Sequence, residues 1–131
     1  MARIVGVDPG EARLGLAVSD PTGTIAQPLM VLRHTARRRD AEAIARVASE
    51  QQAERIVVGV ALDLEGRPGP QARRALRLVA ALRSCTALPV DTWDESGTTL
   101  AAERSGGKAA PLDARAAAVI LQEYLDARRT S

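Results

Sequence analysis

Three acidic residues stand where the chain leaves a predicted strand or enters a predicted helix. Asp8 follows the first apolar run, Glu95 follows a later β-rich run, and Asp113 precedes a helical pattern. Ligand sites in α/β sheets form outside the carboxyl ends of strands, so Asp8 and Glu95 can converge there and the helix can add Asp113. Each residue also has an ordinary structural explanation: a turn residue, a solvated loop residue and a helix cap, respectively.

A cluster of these carboxylates would have a definite chemistry. Like charges held together raise one another's pKa unless a cation neutralises them, and oxygen ligands favour Mg²⁺ or Mn²⁺ over zinc. Two such ions about 3.5–4 Å apart activate a water and stabilise the leaving oxygen in phosphodiester hydrolysis. This chemistry needs no catalytic His or Ser. If the three residues meet, a metal site therefore follows.

The turn after the first strand supports a ligand site more directly. Asp8-Pro9-Gly10 is a strong turn signal, and Gly10 lets the backbone approach a ligand closely. Arg13 lies within reach of the same turn and could contact a phosphate.

The basic residues indicate a phosphate-bearing partner through their distribution, since the net charge is only +2. All but one of the 18 basic residues are Arg, whose planar fork matches two phosphate oxygens. Two basic segments and the turn supply the candidate nucleic-acid contacts: Arg13, Arg37, Arg38, Arg39, Arg67, Arg73, Arg74 and Arg77. A solvated face of an Arg-rich protein explains the same pattern equally well.

Length and composition exclude several classes of protein. The chain has 131 residues, so one domain over residues 1–131 with a single core is expected. Aromatic residues make up only 2%, which argues against RNA-recognition sheets and OB folds that stack bases on several rings. No apolar run approaches the roughly 20 residues of a membrane helix. With no secretion signal and one cysteine, we expect a cytoplasmic location and no membrane partner.

Local patterns predict the elements that would position these residues. Short apolar runs bounded by turn residues predict five strands, at residues 4–7, 14–18, 25–32, 55–60 and 88–93. Helical spacing predicts three helices: residues 38–52, a helix from Pro70 with Leu76, Val79 and Ala80 on one face, and a C-terminal helix capped by Asp113. The order of three strands, helix, strand, helix, strand, helix fits a mixed α/β sheet with helices packed on it.

Four blocks of sequence resemble the YqgF/RuvX family of RNase H-like nucleases, and together they cover nearly the whole chain. They are Gly6-Val7-Asp8-Pro9-Gly10 through Ser19-Asp20, residues 58–62 through Gly69-Pro70-Gln71-Ala72, Asp94-Glu95 with Thr98-Thr99 and Ala102-Glu103, and Leu112-Asp113 with residues 116–126. The resemblance implies an RNase H-like fold with a mixed five-stranded sheet and helices on both faces. It also implies Mg²⁺ or Mn²⁺ bound by Asp8, Glu95 and Asp113 as catalytic carboxylates.

The expected substrate is structured nucleic acid, because two roles are attributed to the family. One is the resolution of four-way Holliday junctions, which would require paired sites in a homodimer, and the other is maturation of the 5′ end of pre-16S ribosomal RNA. The chain departs from the family's usual pattern at Ala12 and Ser96, where basic residues are common. Residues 106–111 are also short and poorly basic, so phosphate contacts could be fewer.

Two other functions stay open on the sequence alone. An actin-like ATPase shares the fold and an Asp-x-Gly turn, but closing a nucleotide between two lobes needs a far longer chain. A nonenzymatic nucleic-acid binding module would keep the fold and the arginines without efficient catalysis. Dependence of activity on Mg²⁺ or Mn²⁺ distinguishes the nuclease from the binding module.

Overall fold

The computed structural model describes residues 3–95 and 112–130. These residues form five strands and three helices: β1 Arg3–Pro9, β2 Arg13–Ser19, β3 Ala26–Arg33, α1 Arg37–Glu50, β4 Ala53–Val60, α2 Pro70–Cys85, β5 Val90–Asp94 and α3 Leu112–Thr130. In the described ranges, no helix is long and apolar enough to cross a bilayer.

The strands form one mixed sheet in the order β3-β2-β1-β4-β5. The first three strands pair antiparallel as a meander, whereas β4 lies parallel to both β1 and β5. Parallel strands need a crossover, and here the crossovers contain α1 and α2. The carboxyl ends of β1, β4 and β5 therefore meet at one edge of the sheet, as the site hypothesis requires.

The core has two layers because side chains alternate across the strands. On one face, α1 and α2 pack against the larger cluster, which includes Val5, Val7, Leu16, Ile44, Ile56, Val58 and Leu82. On the other face, α3 packs against a smaller cluster, which includes Ile4, Ala17, Val57, Ala117, Leu121 and Leu125. The predicted mixed five-stranded sheet with helices on both faces is thereby confirmed.

Two glycines bring α3 unusually close to the sheet. A Cβ added at Gly6 of β1 would lie 2.8 Å from Leu121 Cβ. A Cβ added at Gly15 of β2 would lie 1.9 Å from the backbone oxygen of Asp113. Because a side chain at Gly15 would collide with the helix backbone, that glycine fixes how closely the start of α3 approaches β2.

The structure corrects three local predictions. Strand β1 continues through Asp8 and Pro9, so Asp8 lies inside the strand and not after it. Leu76 and Ala80 are exposed; α2 instead buries Ala72, Ala75, Leu78, Val79 and Leu82. Asp113 lies in the first turn of α3, which begins at Leu112, and so is not the residue before the helix.

Candidate active site

Asp8 lies on the α3 side of the sheet near the carboxyl end of β1. Val5 and Val7 face α1 and α2, so the alternation of side chains turns Asp8 to the opposite face. In the ladder with β2, Asp8 is paired with Gly15. The same glycine admits the backbone of Asp113, so the first turn of α3 is brought to the strand pair that carries Asp8.

Glu95 is held beside the end of β4. Its backbone N–H donates to the oxygen of Val60 at 3.1 Å, which extends the pairing of β5 with β4 by one residue. A Cβ added at Gly59 would lie 2.3 Å from Glu95 Oε2 and 2.7 Å from Ile120 Cδ1. The Glu95 carboxyl group therefore occupies the space that any other residue at Gly59 would fill.

Asp8 and Glu95 form an interacting pair of half-buried carboxyl groups. Burial, and then the charge of Asp113, raise the pKa of Asp8 to about 6, although a side-chain hydrogen bond with Glu95 acts in the opposite direction. Burial, then the charge and hydrogen bond of Asp8, and last Asp94, raise the pKa of Glu95 to about 8. Near neutral pH the metal-free pair consequently retains a proton, mainly on Glu95.

Asp113 is close enough to influence Asp8 but has its own partner. Its Oδ2 lies 3.1 Å from Arg13 Nε, in an ion pair. Over residues 3–95 and 112–130, no group of three His, Cys, Asp or Glu side chains is placed to hold a metal ion. The structure thus unites Asp8 with Glu95 and leaves Asp113 paired with Arg13 beside them.

A cavity of about 190 Å³ opens over the carboxylate pair. Its lining combines the ends of β1 and β4 with Glu95 and the first two turns of α2: Asp8, Pro9, Gly10, Gly59, Ala61, Gln71, Ala75 and Glu95. The volume suffices for water molecules and a phosphate group but not for a folded macromolecule. A nucleic acid could therefore reach this cavity only with a small part of its chain, such as one phosphate group.

The donor set fits a divalent cation. Glu95 Oε2 is buried and has no hydrogen-bond partner among the described residues, which is costly for a carboxylate oxygen unless a ligand satisfies it. Asp8 and Glu95 repel each other when both are ionised, and a hard cation removes that cost. Asp8 and Glu95 could hold such an ion, with Asp113 available if Arg13 releases it.

The eight candidate arginines do not share one environment. Arg37, Arg74 and Arg77 line a second cavity next to the first one. Arg67 pairs with Asp63 and Glu65 inside its own loop, which a bridge between Leu62 and Pro68 closes. The others are exposed: Arg13 beside Asp113, Arg38 paired with Glu42, Arg73 donating to the Pro68 oxygen, and Arg39.

Sequence reasoning did not single out Gly59, Gly15 or Gln71 as parts of the site. An isolated glycine inside an apolar strand indicates close approach by another group. Gly59, in the apolar run 56–60, could therefore have been predicted to lie against another part of the protein. Nothing in the sequence placed Gln71 in the cavity. Of the noted departures, Ala12 is an exposed turn residue, whereas Ser96 and residues 106–111 lie outside the described residues.

The carboxylate pair makes the metal-free protein sensitive to pH. Both folded-state pKa values lie above the ordinary values of 3.8 and 4.5, so the folded protein binds protons more tightly than the unfolded chain. This stabilisation is complete below about pH 4 and is lost as the pH rises through 6 and 8. We expect the free energy of unfolding in EDTA to fall between pH 5 and 8, by an amount on the order of a few kcal/mol.

Urea titrations at pH 5 and 8 measure this effect, and Glu95→Gln is the matched variant because it removes one of the two titrating groups. Its unfolding free energy should change less with pH than that of the wild type. Mg²⁺ should restore the wild type at pH 8. An equal pH dependence in both proteins would show that the pair does not control it.

Comparison with known proteins places the chain in a family. The family model of RuvX, described as Holliday junction resolvase, matches residues 2–127. A protein of Desulforamulus reducens named "Putative pre-16S rRNA nuclease" is 39% identical over 132 residues, covering 95% of this chain and 96% of its own. A protein of the same name from Chloroflexus aggregans is 42% identical over 134 residues, covering 96% and 94%.

A solved structure supports the same fold. RuvC of T. thermophilus, in complex with a Holliday junction substrate, superposes with a TM-score of 0.65 at 21% identity, covering 98% of this chain and 96% of that one. At this identity the likeness establishes the fold, which is RNase H-like as predicted. The family match also confirms the predicted enzyme class, a nuclease. The chain belongs to the RuvX family of nucleases.

Proposed function

We propose that this protein is a divalent-metal-dependent nuclease whose active centre is the cavity over Asp8 and Glu95. The observation that carries the proposal is the buried Oε2 of Glu95, which has no hydrogen-bond partner in the described ranges, next to a second half-buried carboxyl group. That arrangement destabilises the metal-free protein and suits a cation. We also propose that residues 1–131 form one domain and that the protein acts in the cytoplasm.

Asp8 and Glu95 would hold Mg²⁺ or Mn²⁺, and Asp113 would complete the set of catalytic carboxylates. The bound ion would lower the pKa of a water and stabilise charge on the phosphate oxygens. Gly59 leaves room for the Glu95 carboxyl group, and the pairing of Asp8 with Gly15 keeps Asp113 close. The ion pair with Arg13 balances the charge of Asp113 until a substrate phosphate competes for that guanidinium.

The eight candidate arginines would bind the sugar-phosphate backbone. They lie at the start of β2, at the start of α1, in the β4–α2 loop and on α2: Arg13, Arg37, Arg38, Arg39, Arg67, Arg73, Arg74 and Arg77. Backbone contacts carry no direct sequence information, and few rings are available for base stacking. The protein would therefore recognise the shape of a folded nucleic acid.

The first substrate we propose is the precursor of 16S ribosomal RNA. The support is the name shared by near-full-length relatives at 39% and 42% identity. A four-way DNA junction is the second candidate, favoured by the description of the matching family. One phosphodiester-cleaving centre serves either substrate, so the two differ in how the backbone is presented to it.

Cleavage assays with both substrates test the proposal. Purified protein in EDTA should be inactive, and Mg²⁺ or Mn²⁺ should restore cutting of the precursor RNA near the 5′ end of the mature sequence. Binding of either substrate without cleavage at any Mg²⁺ or Mn²⁺ concentration would favour the nonenzymatic binding module.

Salt dependence measures how many arginines contact phosphates. If Arg74 and Arg38 each neutralise one phosphate, the plot of log affinity against log salt should become shallower by roughly 0.7–0.9 in Arg74→Ala and in Arg38→Ala. Fluorescence anisotropy at several KCl concentrations gives the slope. Arg46→Ala, an exposed arginine on α1 away from both cavities, should leave it unchanged. Unchanged slopes in both test variants would show that Arg38 and Arg74 are solvated surface residues that do not contact phosphates.

The two substrates make different demands on assembly. Symmetric cleavage of a four-way junction needs two active centres in a homodimer, whereas trimming an RNA end needs only one. We expect a junction, if cut in paired strands, to be cut by a dimer in sedimentation at the assay concentration. A strict monomer that makes paired symmetric cuts would contradict this mechanism.

A further inference from the structure

A second cavity, of about 360 Å³, lies between the start of α1 and one face of α2. Three arginines line it: Arg37 from the first basic segment, and Arg74 and Arg77 from the second. Arg74 and Arg77 lie three residues apart on α2, which places them on the same side of that helix. The fold thus joins two basic segments, which β4 separates along the chain, at one concave surface.

The charges of these arginines are poorly compensated. Within the described part of the chain, neither Arg37 nor Arg77 has an ion-pair or hydrogen-bond partner. Arg74 has only Glu11, whose Oε1 lies 3.7 Å away and whose side chain is 77% exposed. A contact of that kind is weak in water and is easily exchanged for another anion.

Among the described residues, one acidic side chain lines the cavity, and it already has partners. Asp40 is buried, its Oδ1 accepts the Thr35 N–H at 3.1 Å, and its Oδ2 contacts the ring of His34. Both oxygens of the Asp40 carboxylate therefore already have partners inside the protein. His34, in the loop between β3 and α1, thus orients the one carboxylate found among the described residues that line this cavity.

The cavity adjoins the carboxylate site through a single stretch of backbone. Pro9 and Gly10 line both cavities, immediately after Asp8. A Cβ at Gly10 would lie 2.4 Å from the oxygen of Arg13, so the turn there is tight and free of side chain. A strand whose scissile phosphate reached Asp8 would therefore carry its neighbouring phosphate past this turn.

We propose that the cavity lined by Arg37, Arg74 and Arg77 is a phosphate-binding subsite for the nucleotide next to the cleaved bond. It takes a phosphate group of the bound strand, and the planar guanidinium groups suit bidentate contacts to its oxygens. Glu11 occupies Arg74 when no phosphate is bound. This inference rests on the proposed nuclease function for the identity of the strand, but the subsite itself can be tested without cleavage.

Inorganic phosphate is the first probe. In NMR spectra of the full chain, titration with phosphate should shift the side-chain Nε–H signals of Arg37 and Arg77 and the ring signals of His34. The Nε–H signal of Arg46 should not move. Equal shifts at Arg46, or none at Arg37 and Arg77, would overturn the subsite whether or not the protein is a nuclease.

Affinity for the strand is the second measurement, made with Asp8→Asn chains so that the substrate is not cut. Arg77→Ala and Arg37→Ala should each raise the Kd about tenfold, whereas the matched Arg46→Ala should change it less than twofold. Glu11→Gln should lower the Kd two- to threefold, and Glu54→Gln, an exposed acid at the opposite edge of the sheet, should not. Equal effects of Arg77→Ala and Arg46→Ala would refute the proposal.

Single methylphosphonates, which remove the charge of one phosphate, locate the contact and its source. In a synthetic version of the cleaved substrate, neutralising one phosphate beside the scissile bond should weaken binding to the protein with Arg77 and should weaken it less in Arg77→Ala, where only Arg37 and Arg74 are left to contact that phosphate. If only a 5′-terminal phosphate gives this result, the subsite recognises a strand end. If the binding loss from the methylphosphonate and the binding loss from Arg77→Ala add fully at every phosphate position, a subsite next to the cleaved bond is contradicted.

Discussion

Asp8→Asn is expected to abolish cleavage while leaving the fold and nucleic-acid binding intact. The amide removes a negatively charged ligand from the cavity, and metal coordination contributes several kcal/mol to stabilising the transition state. Because each 1.36 kcal/mol corresponds to a factor of ten, the rate should fall by about a thousandfold or more. Single-turnover cleavage with saturating enzyme and Mg²⁺ measures the chemical step.

The same substitution should raise the melting temperature of the metal-free protein near pH 8. Burial and the neighbouring charge of Asp113 make an ionised Asp8 unfavourable, and asparagine removes that cost. Asp20→Asn is the control with the opposite sign, because the Asp20 carboxylate accepts the N–H groups of Thr24 and Ile25 and its pKa is lowered to about 2.

Two outcomes would contradict the assignment of Asp8. Wild-type cleavage by the Asp8→Asn protein would remove it from the active centre. A loss of melting temperature comparable to that of Asp20→Asn would instead identify Asp8 as an ordinary structural residue whose replacement disturbs the turn. Circular dichroism melting in EDTA, run beside the cleavage assay, distinguishes these cases.

Among the glycines in the described part of the chain, Gly15 is the one at which replacement by alanine is expected to destabilise the protein most. Its Cβ would lie 1.9 Å from the Asp113 backbone oxygen and 2.9 Å from the Ala114 nitrogen, so the start of α3 must move. Overpacking of this kind costs roughly 1–3 kcal/mol or more. Cleavage should fall as well, because the displaced turn carries Asp113 away from Asp8.

Gly69→Ala is the matched control, since a Cβ there meets nothing within 4 Å and Gly69 has an ordinary negative φ of −81°. Its unfolding free energy should stay within about 1 kcal/mol of the wild type. Urea denaturation compares the two variants. If Gly15→Ala were as stable and as active as Gly69→Ala, the close approach of α3 to β2 would be wrong.

Much of the architecture follows from local sequence pattern. Short apolar runs between turn signals locate the strands to within a few residues, because a strand with two buried faces is nearly continuous in Val, Ile and Leu. The buried face of α2 was harder to predict from the sequence. This helix is rich in alanine, so several registers look equally apolar, and its contacts with the sheet select Ala72, Ala75 and Leu78 over Leu76 and Ala80.

The sequence predicted only those parts of the site whose positions follow from the direction of the strands. Asp8 and Glu95 converge because parallel strands carry their carboxyl ends to one edge, which topology alone requires. The fit of Glu95 over Gly59 and of Asp113 over Gly15 depends on distances between backbones, which no local pattern encodes. The meeting of Arg37 with Arg77 likewise depends on how α1 packs against α2.

Direct detection of the metal ion tests the central claim most sharply. Crystals of the wild-type protein grown or soaked with Mn²⁺, measured near the manganese absorption edge, should give an anomalous peak within coordination distance of the Asp8 and Glu95 carboxylates. The same experiment on Glu95→Gln crystals should give a weaker peak or none. A wild-type protein that cleaves nucleic acid with Mn²⁺ while its anomalous peak lies away from both carboxylates would contradict the proposed active centre.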